Sequence, residues 1–482
     1  MENLSTEFND SVSVGREKTQ KKILFISIVI ALSLLGTQLT GSKPLIAIPL
    51  IAFYALVTFA PLYSLLPVFL FFLPWASLLK LQPEKQTAFS LAIIIFFVRL
   101  FLPTKENKIT GGGTIDIKAL MYMEILTVLC IFAKMLWGYP IKANFVRILM
   151  LMFVVPAYLK KYSTRISFKW CTVFIACGTM LASYLAIAFA DYPNISRYIS
   201  IDEIVSNEVT RYAGFSGDPN TYSMLSLAAI SCILIMLVTS KGGKYQILGY
   251  SCVLLLIYQG LVSISKMFVL LLAILIFLWL WTLPKVKGKA YIQLFAVVFI
   301  TAGILIAFST DWFDGIYSMY LARMKDTENL NDLTTGRAWL QKSYLSFFYK
   351  HPLKLIIGQG ISAQYDVGLG HSRASHNTLI QLVYEYGLFG VGVFIFWFKY
   401  SAGNILEKRE IPLKGMRFAL VLIMVVGCFG AWPALDLMFK DAFFYYITLF
   451  FVALKYICDY EEEKPKRFVQ KYFEGGGMIN EG

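Results

Sequence analysis

Long apolar runs separated by short polar segments make up most of the chain. Runs long enough to cross about 30 Å of hydrocarbon lie near residues 23–41, 44–60, 62–79, 88–103, 117–137, 144–159, 168–190, 221–239, 246–264, 267–283, 290–308, 377–398, 416–434 and 441–457. We therefore predict an all-α fold, a polytopic transmembrane bundle of about 12–14 spans. The segment Pro44 to Leu79 is divided only by Ala60-Pro61, so it is either two tightly turned spans or one span plus a re-entrant piece.

The order of apolar and polar segments also predicts how the chain is organised. The first apolar run follows a polar tail of 22 residues and is not followed by a small-residue cleavage site, so we interpret it as an uncleaved span. The predicted parts are a cytoplasmic tail 1–22, transmembrane helices 23–308 with an outer loop 191–220, an extracytoplasmic catalytic loop 309–376 containing short helices, transmembrane helices 377–457 and a cytoplasmic tail 458–482.

Composition narrows the class of protein. With 57% hydrophobic residues, the chain has too much apolar area for a soluble globule. Its net charge of +14 comes from basic residues in short loops and tails, not from a continuous stripe, so we expect no nucleic-acid partner. The protein is expected in the cytoplasmic membrane, and the positive-inside rule predicts that both of its termini lie in the cytoplasm. The seven cysteines lie in or beside apolar runs without metal-ligand spacing, so we expect no disulfide and no cysteine-bound metal. We also expect no cofactor.

The three histidines of the chain are confined to the long loop 309–376, which makes it the first place to look for proton transfer. His376 comes immediately before a predicted span, where the positive end of the helix dipole disfavours imidazolium and keeps a neutral base available. His371 is the alternative base. His351 precedes Pro352 and is interpreted as structural.

Three cations on the same predicted face are candidates for binding an anion. Arg211 lies upstream of Asp218-Pro-Asn, which suits the first turn of a helix whose free N–H groups attract anions. Lys266 ends the polar turn Ser-Ile-Ser-Lys, and Arg337 follows Gly336 in the long loop. The alternatives are an ordinary capped helix with a solvated arginine and a lysine that only extends to the interface.

Other short motifs accompany these cations. Gly358-Gln-Gly360 is either part of a site or a set of simple turns, and Asn377 either binds substrate or, with Ser375, only caps the helix. Glu385 lies nine residues after His376, about half a turn out of phase, so we expect it to bond a neighbouring helix.

These motifs, in this order and topology, resemble the bacterial O-antigen ligase and polymerase family of membrane glycosyltransferases. The resemblance spans roughly Arg211 to Gly390 and rests on Arg…Gly-Phe…Asp-Pro-Asn, Ser-Lys, Gly-Arg-x-Trp, Gly-x-Gly and His-Asn followed by Glu-x-Gly. The first 200 residues match only in hydropathy. Where the family usually has arginine after the Ser265 turn, this chain has Lys266, a point charge in place of a two-pronged donor.

The resemblance implies transfer of a glycan from an undecaprenyl-diphosphate carrier to a hydroxyl group outside the membrane, without nucleotide sugar or metal. Arg211, Arg337 and Lys266 would hold the diphosphate, and His376, beside Asn377, would take the proton from the acceptor. The partners implied are the lipid-linked oligosaccharide, the lipid bilayer, a flippase and a chain-length regulator.

Three functions stay open at this stage. We favour a polymerase of a surface polysaccharide, whether O-antigen, capsule or exopolysaccharide. A ligase would use the same donor but accept lipid A core sugars. A non-enzymatic flippase or transporter would instead use Arg99, Glu124, Lys134 and Arg147 to line a path at mid-membrane.

The distribution of basic loops predicts a membrane topology that can be tested by labelling. In a cysteine-free background, a membrane-impermeant maleimide should modify Leu330→Cys in intact cells and spare Val286→Cys, because only the first would lie outside. Labelling of both positions after permeabilisation is the control. The reverse pattern in intact cells would contradict the topology.

Overall fold

A computed structural model describes residues 2–82, 87–102, 116–199, 201–204, 209–239, 243–283, 297–298, 301–303, 305, 309, 311–325, 336–361, 367, 374–406, 412, 414–436 and 441–460. Within these ranges the fold is an all-α polytopic bundle, as predicted, and it also contains a two-stranded sheet that the sequence did not predict. Eight of the described helices are long and apolar enough to cross a membrane, and four shorter apolar helices accompany them.

The elements are labelled in chain order. The helices are α1 (Glu2–Thr40), α2 (Lys43–Phe59), α3 (Leu65–Phe72), α4 (Ala88–Phe101), α5 (Ile117–Trp137), α6 (Ala143–Tyr162), α7 (Phe168–Ala188), α8 (Pro193–Ser196), α9 (Pro219–Thr239), α10 (Gly243–Val262), α11 (Lys266–Thr282), α12 (Asp311–Lys325), α13 (Arg337–Lys350), α14 (Pro352–Ile357), α15 (Thr378–Ser401), α16 (Gly403–Leu406), α17 (Gly415–Phe429) and α18 (Asp441–Asp459). The strands are β1 (Ile201–Ile204) and β2 (Val209–Tyr212), and 3₁₀ turns cover Leu62–Ser64, Leu73–Trp75, Gly214–Ser216 and Trp432–Ala434.

Two predicted boundaries differ in the structure. Helix α1 begins at Glu2, so the polar tail 1–22 is helical and continuous with the first span. The predicted span 62–79 is a broken helix, in which α3 is flanked by two 3₁₀ turns and every α3 side chain is buried. A segment that is apolar on all sides can face either lipid or other helices, and the burial of every α3 side chain places this one inside the bundle.

The broken segment nevertheless crosses the bundle alongside α1. Gln20 donates to Ser64 Oγ (3.0 Å), and Gln38 donates to the Leu78 carbonyl (3.0 Å), about 27 Å further along α1 at 1.5 Å per residue. Of the two open interpretations of Pro44 to Leu79, these contacts support two tightly turned spans.

Several predictions lie outside the described residues. They concern most of the expected span 290–308, His371, both labelling positions 286 and 330, and residues 326–335 of the long loop. The described part of that loop consists of α12, α13, α14 and short connections, which agrees with the expected short helices.

A break in α15 brings the long loop back onto the bundle. Gly387 has non-helical backbone angles (φ 69°, ψ 171°), which leaves the preceding carbonyls without their helical partners. The Gln359 N–H bonds the Tyr384 carbonyl (3.0 Å), and the Gly360 N–H bonds the Glu385 carbonyl (2.8 Å). A Cβ at Gly358, Gly360 or Gly387 would collide with the facing backbone, so the close approach requires glycine.

Candidate functional site

The turn between α10 and α11 is the base of the candidate site. Ile264 has φ 45°, a conformation that costs a β-branched residue free energy unless neighbours fix it. The buried Arg211 side chain donates from Nε to the Ser263 carbonyl (3.2 Å) and from Nη2 to Asn220 Oδ1 (3.3 Å). Ser265 Oγ donates to the same Asn220 oxygen (3.0 Å). Arg211 therefore connects the turn to the start of α9.

Helix α12 lies over the same turn and binds its other carbonyls. Tyr320 donates its hydroxyl to the Leu261 carbonyl (3.3 Å), and Arg323 donates to the Ile264 carbonyl. Burial raises the pKa of Tyr320, while the positive charges of Arg323 and Arg211 oppose that shift. Both guanidinium groups thus lie close to the Tyr320 phenol, and each binds a different carbonyl of the strained turn.

A cavity of about 870 Å³ opens between α11, α12, α13 and the 3₁₀ turn Trp432–Ala434. One part of its lining is cationic and consists of Lys266, Arg323 and Arg337. The other part is apolar and consists mainly of Met267, Val269, Leu270, Ala273, Ile316 and Met324. Because α11 is an apolar helix of 17 residues, the apolar wall continues along a helix that enters the bundle.

Arg337 lies between two carboxylates at the start of α13. Partial burial lowers the pKa of its guanidinium, and the nearby charges of Asp218 and Asp436 oppose the shift. An arginine stays charged under these conditions. Asp218 also accepts from the Thr221 N–H (2.7 Å) and so caps α9, which opens at Pro219 as predicted. Of the two interpretations left open for this segment, the hydrogen bond corresponds to the capped helix.

His376 is paired with Asp436, a residue that sequence analysis missed. His376 Nδ1 lies 3.1 Å from Asp436 Oδ2, and Ser375 Oγ donates to the other carboxylate oxygen (3.2 Å). A carboxylate only accepts, so Nδ1 carries a hydrogen and Nε2 holds the lone pair of the neutral ring. The helix dipole is therefore not the only electrostatic influence on the His376 ring, because the Asp436 carboxylate lies beside it.

Asn377 acts as the N-cap of α15. Its Oδ1 accepts from the backbone N–H groups of Leu379 (3.0 Å) and Ile380 (3.2 Å). Two roles were left open for Asn377, and the structure shows the helix cap. Because Oδ1 is used by the cap, the side chain has only its amide nitrogen for a substrate contact. His376 precedes this cap with φ 49°, outside the helix. Ile264 and His376 are the non-glycine residues with positive φ in the described chain, and both belong to this region.

The Gly-x-Gly and Glu-x-Gly motifs pair with each other and support the site from behind. Trp137 donates to the Gly358 carbonyl (2.7 Å), and Tyr139 donates to Gln359 Oε1 (2.9 Å). The buried Glu385 carboxylate accepts from Gln381 (3.3 Å) and interacts electrostatically with Lys134 of α5. The hydrogen bond from Gln381 lies within α15, and the electrostatic interaction with Lys134 is the one that reaches the neighbouring helix.

The structure brings together most of the predicted site residues, with different roles. Lys266 and Arg337 line the cavity, Arg211 lies behind it, and Asp436 connects Arg337 to His376 through its charge. His351 lies elsewhere, exposed, with its ring tilted against the Phe347 ring. Sequence analysis also missed Arg323. Its signal was the helical spacing of Ile316, Tyr320 and Arg323, which places an arginine on one face with apolar and aromatic residues.

Asp436 carried a weaker signal. It is an acidic residue directly after the apolar run that ends near Trp432-Pro, at a predicted boundary of the membrane. An ionisable group there needs a partner, and the exposed loop contained the candidate histidines. The pairing itself depends on tertiary structure.

Comparison of the chain with protein-family models and with curated proteins finds no match. The family resemblance therefore rests on the sequence motifs and their order.

Stability measurements should separate the two roles assigned to the cations. We expect Arg211→Ala to destabilise the protein by about 2–3 kcal/mol, because it leaves buried polar groups of Ser263 and Asn220 without their charged donor. Lys266→Ala should cost less than about 1 kcal/mol, because the side chain is half-buried at the cavity. The measurement is thermal unfolding of the purified protein in detergent. Equal losses would contradict the division of roles.

Proposed function

We propose that the protein is a membrane glycosyltransferase that takes a glycan from a polyprenyl-diphosphate carrier of the undecaprenyl type. The observation that carries the proposal is the cavity with a cationic part at Lys266, Arg323 and Arg337 and an apolar wall along α11. A diphosphate with a long hydrocarbon chain has the same two-part chemistry. Phosphate oxygens pair with arginine and lysine, and the chain lies against apolar side chains facing the bilayer.

The reaction assigns a separate task to each group. The acceptor hydroxyl oxygen forms a bond to the anomeric carbon of the donor sugar while the bond from that carbon to the diphosphate oxygen breaks. His376 takes the hydroxyl proton, and Asp436 orients the ring and stabilises its positive charge. The diphosphate leaves with its electron pair, and the cationic part of the cavity stabilises the growing negative charge.

The acceptor distinguishes the two enzymatic possibilities. We propose a polymerase of a surface polysaccharide, in which the acceptor is another lipid-linked repeat unit at the extracytoplasmic face of the cytoplasmic membrane. A flippase and a chain-length regulator are the protein partners that this assignment implies. A ligase would use the same donor cavity and proton acceptor with a lipid A core sugar as acceptor.

The transporter alternative has less support from the side-chain contacts. Its proposed path requires charged residues on one continuous route at mid-membrane. Arg99 donates to the Val57 carbonyl (2.7 Å), Arg147 donates to Ser90 Oγ (3.1 Å), and Lys134 donates to the Pro140 carbonyl (3.2 Å). Glu124 is exposed on α5. These groups bond different parts of the bundle.

Substitution of the cavity cations tests the proposed function. The protein is reconstituted in liposomes with an undecaprenyl-diphosphate-linked repeat unit, and released undecaprenyl diphosphate and elongated glycan are quantified. Arg323→Ala and Arg337→Ala should lower the rate by about 10²–10³-fold, because a positioned donor to the developing charge is lost. Arg337→Lys should lose most activity, whereas Lys266→Arg should keep it.

Lys414→Ala is the matched control, since it removes an exposed lysine next to α17. If wild type releases undecaprenyl diphosphate and neither arginine substitution lowers the rate of release, the cavity has no part in the mechanism. If wild type releases no undecaprenyl diphosphate but moves the intact lipid-linked glycan across the bilayer, the transporter proposal replaces the transferase proposal.

Histidine substitutions test the proton acceptor. We expect His376→Ala to lower the transfer rate by about 10²–10⁴-fold while the protein still binds its lipid-linked substrate. His351→Ala and His371→Ala should keep measurable activity. Asp436→Asn should lower kcat with little change in KM, and the double variant His376→Ala/Asp436→Asn should be no slower than His376→Ala, because Asp436 acts through the ring. Near wild-type transfer by His376→Ala would contradict the mechanism.

A further inference from the structure

A second concave surface lies on another face of α13, away from the cationic cavity. It has a volume of about 660 Å³ and is referred to here as the basic groove. Trp339, Lys342, Ser343, Ser346 and Lys350 line it from α13. Their spacing of three, four, seven and eleven residues after Trp339 places them in one stripe along the helix. The opposite side of α13 is buried in the protein, so the stripe faces outward.

Aromatic and basic side chains from other elements complete the basic groove. Lys354 of α14 lies over the rings of Trp137 (5.2 Å) and Phe347 (5.4 Å). The His351 ring lies 4.8 Å from the Phe347 ring, and Tyr139 joins them from the end of α5. These contacts hold the cation on a rigid support, since cation–π pairing restricts an otherwise mobile lysine.

The described residues that line the basic groove carry charge of one sign. Its described lining contains three lysines and one histidine and has no aspartate or glutamate. Trp339 adds a large ring that is 49% exposed, and serine hydroxyls separate the lysines along α13. A helix face that binds a membrane surface needs apolar side chains between its basic residues; Leu345 and Tyr349 are exposed between Lys342 and Lys350 on α13, but neither lines the groove. A groove of hydroxyls, flat rings and cations suits a sugar chain that carries negative charge.

The groove also starts next to the proposed reaction site. Arg337 begins α13 and lines the cationic cavity, and Trp339 begins the stripe two residues later. From Arg337 to Lys350 the helix extends about 20 Å, which is long enough for several sugar units. A glycan held along this helix would have one end near the cavity.

We infer that the basic groove binds an acidic glycan, a sugar chain bearing carboxylate or phosphate groups. The inference rests on the proposed glycosyltransferase function for its biological role and specifies the substrate class. Lys342, Lys350 and Lys354 pair with the negative groups, and Trp339 and Tyr139 contact the flat faces of the sugars. The polysaccharide made by the enzyme is accordingly acidic.

Binding of a model polyuronate tests the groove without requiring catalysis. Fluorescently labelled alginate oligosaccharide is titrated with the full-length protein in nanodiscs of neutral lipid, and the anisotropy is recorded. Wild type should bind, with affinity that falls as salt rises. The double variant Lys342→Glu/Lys350→Glu should lower the affinity by about 10-fold or more through charge reversal. Lys342→Gln/Lys350→Gln should show a smaller loss and guards against misfolding of the reversed variant.

Two controls determine what the titration means. Lys142→Glu reverses an exposed charge outside the groove, and neutral dextran oligosaccharide lacks charge. An equal loss in Lys142→Glu, or equal binding of dextran, would overturn the inference. Binding to phosphatidylglycerol vesicles without binding to alginate would overturn it in favour of a lipid surface. Loss of binding by the groove variants in a protein without transfer activity would support the groove and contradict the transferase.

Discussion

Breaks in the helices of a membrane protein must have their backbone groups satisfied inside the protein, and this constraint organises the candidate site. A carbonyl without a hydrogen-bond partner in a region of low water content costs several kcal/mol, which is comparable to the net free energy of unfolding of a domain. The turn between α10 and α11 meets the constraint with Arg211, Tyr320 and Arg323. The break in α15 meets it with the N–H groups of the Gly358–Gly360 loop. Side chains suited to bind an anion are thereby fixed beside an apolar wall.

The same constraint explains why the short motifs occur together. Arg211 and the Ser-Lys turn are joined by Asn220, the Gly-x-Gly and Glu-x-Gly motifs bond each other directly, and Gly-Arg-x-Trp approaches His376 through Asp436. Each motif is a weak signal in the sequence because its partner lies far along the chain. Their pairing in space supports the proposed common site for a diphosphate and a proton acceptor.

Sequence patterns predicted what depends on local composition. The helical class, most span positions and the helix start at Pro219 follow from apolar length and capping residues, and the structure agrees with them. The roles of Arg211 and Asp436 depend on which elements meet. Arg211 has the same charge as Lys266, but the β1–β2 hairpin delivers it behind the turn, where it is buried. Asp436 and His376 are 60 residues apart in the numbering, and no periodicity relates them.

Helix α13 contributes to two charged regions, the cationic cavity and the basic groove. In the transferase proposal, this arrangement keeps the donor and the glycan apart. Arg337 belongs to the cavity with the apolar wall, and the lysines of the basic groove face another direction on the same helix. Under the transferase proposal, a lipid-linked donor and an extended glycan would approach a common reaction centre from the membrane and from the aqueous side. The transferase proposal requires this separation, since both ligands carry negative charge.

The central claim concerns where a polyprenyl diphosphate binds, and a cryo-EM map of the protein in nanodiscs with undecaprenyl diphosphate tests it most directly. We expect density for the two phosphates in contact with Lys266, Arg323 and Arg337, with the hydrocarbon chain along α11. Density for the diphosphate inside the bundle near Arg99 or Arg147, with the cationic cavity unchanged, would contradict the assignment of this cavity as the donor site.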